Sequence, residues 1–499
     1  MGRISVGIIG CGRISGLHYP GYLDKDDAAI HAVCDVDEAT ARRRKEEWGA
    51  DRYYTDYRDL LSNPDIDAVE ILTPHHLHEV MVIDAARAGK HIALQKPMST
   101  DLRSADAMLK AVKEAGVVFR VTDNYVFYPP IVLAKKMIEN GDIGTPTNLR
   151  IKFISGGSGG WEVPAQAWQW RLGEAVAGRG MQTFDHGHHL WATAWYLLGE
   201  MERVVSWIDV TDGVVDSPAT VMWKHREATA YGMCEYCHAS QMHVPSRYYA
   251  NDEWFEVTGT RGLISINRCT GNIKGGAPLS FFDGHEWHEH TDVEADWGEG
   301  FRGATHNFIA SIKGEEKPLL SGDEARTVLR SALAVGLSSR LRREVHVDEL
   351  DAAWPTLYAL RRQAARLGGS KTVRSVLDWT WVSVREASLA PRARELTRTL
   401  TERFDPEAVP GWGAVVGLSL LAEGDVEPAT FSLVIRDGRA VLEEGTLPGE
   451  ADLTITVASG VWAALLLRKE RLEAALLQGK LKIDGKAELA LKLRRAFQL

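Results

Sequence analysis

Cysteine is scarce: five residues in 499, one of them inside the first glycine-rich turn. That excludes a disulfide framework and the small secreted scaffolds built on one. There is no excess of basic residues either, since 58 Lys and Arg stand against 68 Asp and Glu for a formal net charge of −10, and no nucleic acid partner is expected. No apolar run is long enough to span a bilayer. No basic-plus-apolar leader opens the sequence, and Ala496-Phe497-Gln498-Leu499 is not a peroxisomal signal, so a cytoplasmic protein is expected. Cys234-Glu235-Tyr236-Cys237-His238 matches a haem-attachment string, yet it lies in an extended-looking stretch without a second cysteine pair. Neither haem nor a metal is expected there.

What is present begins at the first strand. Ile4 to Ile9 is a short apolar run that runs into Gly10-Cys11-Gly12-Arg13-Ile14-Ser15-Gly16. A buried parallel strand followed by such a turn seats a pyrophosphate: Gly10 permits the turn, Gly12 lets the phosphate approach the backbone, and a helix read over residues 17–29 offers its N-terminus. A second strand, read as His31 to Asp37, carries Asp35 about 20 residues past the loop, where a carboxylate accepts ribose hydroxyls and repels a 2′-phosphate. NAD is the expected cofactor, with Asp37 open to the same role or to capping the next helix.

From Ile4 to Val121 apolar strands alternate with helical segments, the pattern of a doubly wound sheet. Thr73-Pro74, Lys96 and Asn124 fall at strand ends, where such sheets bind ligands. Lys96 closes a strand and is suited to hydrogen-bond a reacting hydroxyl. Asp185 lies four residues before His189 and three before His188, so a helix would place carboxylate and imidazole on one face, Asp185 orienting the ring for proton transfer. Sixteen tryptophans include Trp168 and Trp170, which with Arg171 suit a stacking wall and a hydrogen-bond fork for a polyhydroxylated ligand.

These motifs, with Ala88-Gly89-Lys90-His91 running into Gln95-Lys96-Pro97, Gly141-Asp142-Ile143-Gly144, Gly180 through His189, Glu256 through Gly262 and His306-Asn307-Phe308-Ile309, resemble the glucose-fructose oxidoreductase, inositol dehydrogenase and rhizopine-catabolism oxidoreductases over residues 1–350. The resemblance implies a Rossmann domain over 1–124 and, over 125–369, an α+β domain with a large, mostly antiparallel open sheet. It implies NAD held by Gly10, Gly12, Arg13, Ile14, Asp35, Thr73, Pro74, His78 and Lys96, catalysis by Lys96, Asp185 and His189, and no metal. Asn124, Tyr125, Tyr128, Trp170, Arg171 and His188 are expected to border the substrate. Gln95 stands where the family usually has Glu, which removes a negative neighbour from Lys96.

The implied activity is oxidation of a secondary hydroxyl of a sugar, glycoside or cyclitol by a homo-oligomer. The alternative is NAD-dependent glycoside cleavage through transient oxidation, elimination, hydration and re-reduction with the cofactor retained. After a linker at Gly368-Gly369-Ser370-Lys371, residues 370–499 read as a separate small α+β domain. It resembles a sterol-carrier-protein-type domain through Gly449 to Ile455 and Gly479 to Gly485. That implies an apolar ligand or a dimer contact.

Overall fold

The computed structural model describes residues 2–23, 25–161, 171, 180–210, 215–351, 389–445 and 447–467, and beyond these 472, 475, 480–485 and 487–497. The chain divides into two compact units, residues 1–355 and 356–499. The linker read at Gly368 to Lys371 lies outside the described residues, as does most of the helix read over Leu350 to Leu367.

The first unit opens with six parallel strands: β1 (Ile4–Ile9), β2 (Ala28–Cys34), β3 (Arg52–Tyr54), β4 (Ala68–Ile71), β5 (His91–Gln95) and β6 (Phe119–Thr122), in the order β3-β2-β1-β4-β5-β6. β4 is buried at every position and β1 at five of six, which is why these strands read as continuous apolar runs rather than as alternations. Order reverses between β1 and β4, so a crevice opens at the carboxyl end of β1, beneath the glycine turn. The helix expected over 17–29 is instead two one-turn pieces, Ser15–His18 and Pro20–Leu23, because Pro20 lacks the N–H that would continue the first. β2 starts and ends three residues earlier than expected, which leaves Asp35 just beyond it. Asp37 caps the helix Glu38–Trp48 by accepting the Thr40 N–H, which settles its role as a cap.

A second sheet follows: β7 (Pro146–Ser158), β8 (Met201–Ile208), β9 (Ala219–His225), β10 (Tyr231–His243), β11 (Asn251–Gly259), β12 (Leu263–Ile266), β13 (Leu279–Phe282), β14 (Trp287–His290) and β15 (Val345–His346). Their order is β14-β13-β12-β11-β7-β10-β9-β8-β15, and among the described strands of this sheet only β7 and β10 pair in parallel. Cys234 and Cys237 sit three apart on β10, one buried and one half-buried, so the extended backbone turns them to opposite faces. From this sheet the helix Glu299–Lys313 returns to the first, where Phe308, Ile309 and Ile312 join Val6 and Ile8 in one apolar cluster. Gly300 permits that crossing, since a Cβ there would stand 2.2 Å from the Asn124 carbonyl oxygen.

The second unit holds β16 (Ala414–Leu421), β17 (Ala429–Arg436), β18 (Arg439–Glu444), β19 (Leu453–Ala458) and β20 (Leu481–Gly485), ordered β18-β17-β16-β19-β20, over its own core around Phe431, Trp462 and Phe497. The single helix expected over Pro391 to Phe404 is broken into Ala390–Arg392, Ala393–Arg398 and Leu400–Arg403. Thr397 bonds back to the Ala393 carbonyl at 2.6 Å and accepts the Trp462 indole N–H at 2.9 Å, a pattern that bends helices. Among the described residues no helix is long and apolar enough to cross a membrane.

Candidate active site

The carboxyl ends of β1, β4, β5 and β6 bring four loops to one edge of the first sheet. In the glycine turn, Gly10 adopts φ +96° and a Cβ there would meet the Leu72 carbonyl oxygen at 2.8 Å, whereas Gly12 is exposed and a Cβ would meet nothing within 4 Å. The first glycine is therefore required by the turn, and the second leaves an open crest for a ligand. Gly10→Ala is expected to cost about 1–3 kcal/mol of stability and to weaken nucleotide binding, checked by thermal melting and nucleotide titration. Asp35 is held beside the turn, Oδ2 accepting the Cys11 N–H at 2.8 Å and Oδ1 the Asp37 N–H at 3.0 Å. Each oxygen keeps a further lone pair, and the residue is partly exposed, so the donor set fits a dinucleotide with free ribose hydroxyls.

Lys96 follows β5 directly. Its Nζ donates to the Asp185 carbonyl at 2.7 Å and to Asp185 Oδ1 at 2.8 Å. Arg171 Nε donates to Asp185 Oδ2 at 3.3 Å, and His75 Nε2 stands 3.5 Å from Oδ1. Burial alone would raise the Asp185 carboxyl, but the Lys96 and Arg171 cations outweigh it and hold it well below the usual carboxylate range. Tyr249 completes this side near Arg171 and Asp185, its phenol pushed up by burial.

The spacing argument paired Asp185 with His189; the fold pairs His189 with Asp123, Nδ1 to Oδ1 at 2.8 Å. The reason is local. Met181–His186 winds as a π-helix, with the Asp185 N–H bonded back to Gly180, before an α-helix runs Gly187–Leu198. The i,i+4 alignment is lost across that junction. Tyr125 stacks on the His189 ring at 4.3 Å, and His186, its Nε2 2.9 Å from Oε1 of the buried Glu253, meets it edge-on at 5.3 Å. Burial pushes the His189 imidazole down to about 4 despite Asp123, so it rests neutral, its Nδ1–H donating to an anionic Asp123 and its Nε2 able to take a proton. His188 donates from Nδ1 to the Phe184 carbonyl at 2.6 Å, leaving a buried Nε2 acceptor without a hydrogen bond. Burial pushes that ring also to about 4, and it feels Lys96, Asp123 and Asp185.

Other expected residues fall elsewhere. His78 is fully buried, its ring nitrogens 3.0 Å from the Pro97 carbonyl and 2.9 Å from the Thr73 carbonyl, one of which accepts from its single N–H, so it braces the Thr73-Pro74 loop against the Lys96 turn. Tyr128 is fully buried with its hydroxyl on the Ala295 carbonyl at 3.2 Å; it is core. Asn124 is buried too, its amide reaching the Trp297 carbonyl at 3.4 Å, and Tyr125 bonds Thr270 at 2.9 Å and supports His189 from behind. All three are buried, with packing and hydrogen-bonding roles of their own. Arg13 is exposed and lies over the Trp161 ring at 5.1 Å, and Ile14 is half-buried. Trp168 and Trp170 lie outside the described residues. Asp123, His75 and Tyr249 were missed; only Asp123, an acid directly after a strand beside Asn124, carried a signal that strand-end reasoning could have used.

Comparison with known proteins adds the following. A model described as oxidoreductase family, NAD-binding Rossmann fold matches residues 4–123, the family's C-terminal alpha/beta domain matches 135–347, and the SCP-2 sterol transfer family matches 396–498. The chain is 27% identical over 365 residues to a myo-inositol 2-dehydrogenase of Thermotoga maritima, covering 69% of this chain and 99% of that one. It is 24% identical over 369 residues to a 2,7-anhydro-N-acetylneuraminate hydratase of Mediterraneibacter gnavus, covering 66% and 93%. The crystal structure of a probable dehydrogenase from Thermotoga maritima superposes with a TM-score of 0.57 at 26% identity, over 70% of this chain and 100% of that one.

Proposed function

The chain belongs to the glucose-fructose oxidoreductase, inositol dehydrogenase and rhizopine-catabolism family of NAD-binding oxidoreductases, and from that premise we propose that Lys96 and His189 serve oxidation of a secondary hydroxyl on a sugar, glycoside or cyclitol. The observation that carries this reading is the double pairing at the strand edge, Lys96 with Asp185 and His189 with Asp123. Oxidising a carbinol removes a hydride and a proton, and NAD, when bound, takes the hydride. The proton falls to the protein. His189 Nε2 receives it, and the resulting imidazolium is stabilised by the Asp123 carboxylate. The Lys96 ammonium, aimed by Asp185, steadies the charge that builds on the oxygen.

Gly10, Gly12, Arg13, Ile14, Asp35, Thr73 and Pro74 would hold the cofactor. Asp35→Ser is expected to narrow the preference for NAD over NADP at least about tenfold, since a like charge facing the 2′-phosphate is lost, read from dissociation constants for the two nucleotides. The domain limits at 124/125 and 369/370, cytoplasmic location and homo-oligomeric assembly belong to the same proposal. Trp207, Met222 and Tyr231 are 61%, 45% and 58% exposed on one face of the second sheet, a patch suited to a second copy. The C-terminal unit is proposed to take an apolar ligand or a dimer contact.

The hydratase relative favours one second reading, redox-neutral cleavage with retained cofactor. Incubating the protein with free sugars, cyclitols, anhydro-sugars and aryl glycosides, with and without added NAD, separates the two. Accumulating NADH supports the dehydrogenase; aglycone release or hydration without it supports the alternative.

A further inference from the structure

Behind Lys96 lies a polar chain that the reaction as described does not use. The Lys96 backbone N–H donates to Gln95 Oε1 at 2.7 Å, closer than its contact with the Thr122 carbonyl at 3.3 Å. Gln95 Nε2 stands 3.3 Å from His18 Nε2, and His18 Nδ1 stands 3.1 Å from Glu70 Oε2. His18 is 0% exposed, Glu70 1% and Gln95 9%. One proton arrangement serves the two hydrogen bonds, and the His18–Glu70 approach is a close contact without hydrogen-bond alignment. The Lys96 N–H consumes the amide oxygen of Gln95, which turns its NH2 toward His18. His18 must then accept at Nε2 and carry its hydrogen on Nδ1, facing Glu70.

The chain joins three elements: His18 ends the first helical turn after the glycine loop, Glu70 is on β4 and Gln95 closes β5. Arg120, 0% exposed and seated over the Phe127 ring at 4.8 Å, lies in the field of Glu70, and the buried Tyr22 phenol is pushed up by burial and by the same carboxylate. Phe301 closes the His18 ring edge-on at 5.0 Å. We propose that Glu70, His18 and Gln95 are positioning residues that fix the Lys96 peptide, and that the amide at position 95 does so while placing no carboxylate against a neutral His18. This rests on the reading that Lys96 acts in the reaction, though the chain itself does not.

Glutamate at 95 has the same shape but a different proton demand. One carboxylate oxygen still accepts from the Lys96 N–H; the other faces the His18 Nε2 lone pair unless His18 takes up a second proton. A His with a raised folded-state pKa stabilises below its unfolded value of about 6.5 and loses that stabilisation as pH rises through the folded value. The groups that also face this region are Tyr22, Glu70 and Arg120 beside His18, and Asp185, Asp123 and Arg171 beside Lys96. They are common to wild type and variant, so the difference between the two isolates position 95. His75, His188 and His189 also lie on the Lys96 side.

The test uses the full-length protein without any sugar. The melting temperature of Gln95→Glu relative to wild type is measured from about pH 6 to about pH 9, together with competitive acetylation of Lys96 by acetic anhydride read by mass spectrometry. The variant is expected to lose at least about 2 °C more, relative to wild type, at the high end than at the low end. Adding His18→Asn, which cannot take the proton, should abolish that dependence and, near pH 6 where His18 would carry it, slow Lys96 acetylation beyond the effect of Gln95→Glu alone. A pH-independent difference in melting, or a Lys96 acetylation rate near pH 6 unchanged by the second substitution, overturns the proposal. If both signatures appear while Lys96→Met keeps full turnover, the chain stands and the role given to Lys96 fails.

Discussion

Lys96→Met is expected to lower kcat by about 10³-fold, within the range of a lost acid–base or electrostatic group, while the dissociation constant for NAD changes only severalfold. Methionine keeps the length and the apolar stem and removes the charge, so the packing around β5 survives. What disappears is the cation that bonds the Asp185 carbonyl at 2.7 Å and its carboxylate at 2.8 Å. Breaking a buried ion pair leaves the surviving charge at a cost of about 3–5 kcal/mol. Here Arg171 still reaches the other oxygen at 3.3 Å, so the stability loss should fall below that range. Asp185, no longer held down by Lys96, should bind a proton at higher pH. A kcat within tenfold of wild type would remove Lys96 from the mechanism.

Asp123→Asn should lower kcat by about 10²–10³-fold. Asp123 is 1% exposed, and its Oδ1 accepts both His189 Nδ1–H at 2.8 Å and the Tyr125 N–H at 3.1 Å. An asparagine oxygen at the same place keeps both bonds and the ring tautomer, and removes only the negative charge that stabilises the imidazolium formed in the reaction. The pH profile distinguishes this from simple misplacement. Burial holds His189 at about 4 in the wild type. A base acts only when unprotonated, so kcat/KM should hold down to about pH 5 and fall below about pH 4. In Asp123→Asn the limb should move further down while the plateau drops. A limb that stays near its wild-type position, or an unchanged plateau, contradicts the pairing.

How far the chain could be read in advance follows from the range of each interaction. Strands buried on both faces announce themselves as apolar runs, and the turn after β1 needs a glycine at a φ of +96°, so the sheet, the glycine turn and the place of Asp35 at a strand end were legible. Lys96 was legible because it closes a strand. Its partner was not: Asp185 is 89 residues away, and Asp123 is 66 residues from His189. Those pairings depend on how the second sheet lies against the strand ends, which no local spacing encodes. The spacing that was used, Asp185 to His189, failed because the backbone between them changes from π- to α-helix. Tyr128 and Asn124, expected to border the substrate, lie buried for a related reason. Closeness in sequence to a strand end does not say which side of the loop faces the core, and here the helix Glu299–Lys313 covers that side. Only the chain through Gln95 and His18 lay beyond both kinds of reading, since it joins residues 77 apart in a buried layer.

The most direct measurement of the central claim is nicotinamide absorbance in NAD-saturated protein given a panel of cyclitols, free sugars and anhydro-sugars, run in parallel with Lys96→Met and Asp123→Asn. The expected result is NADH formed from at least one secondary polyol by the wild type, with both variants slower by about 10²-fold or more. NADH formed at equal rates by all three proteins, or no change in nicotinamide or sugar with any member of the panel, would contradict it.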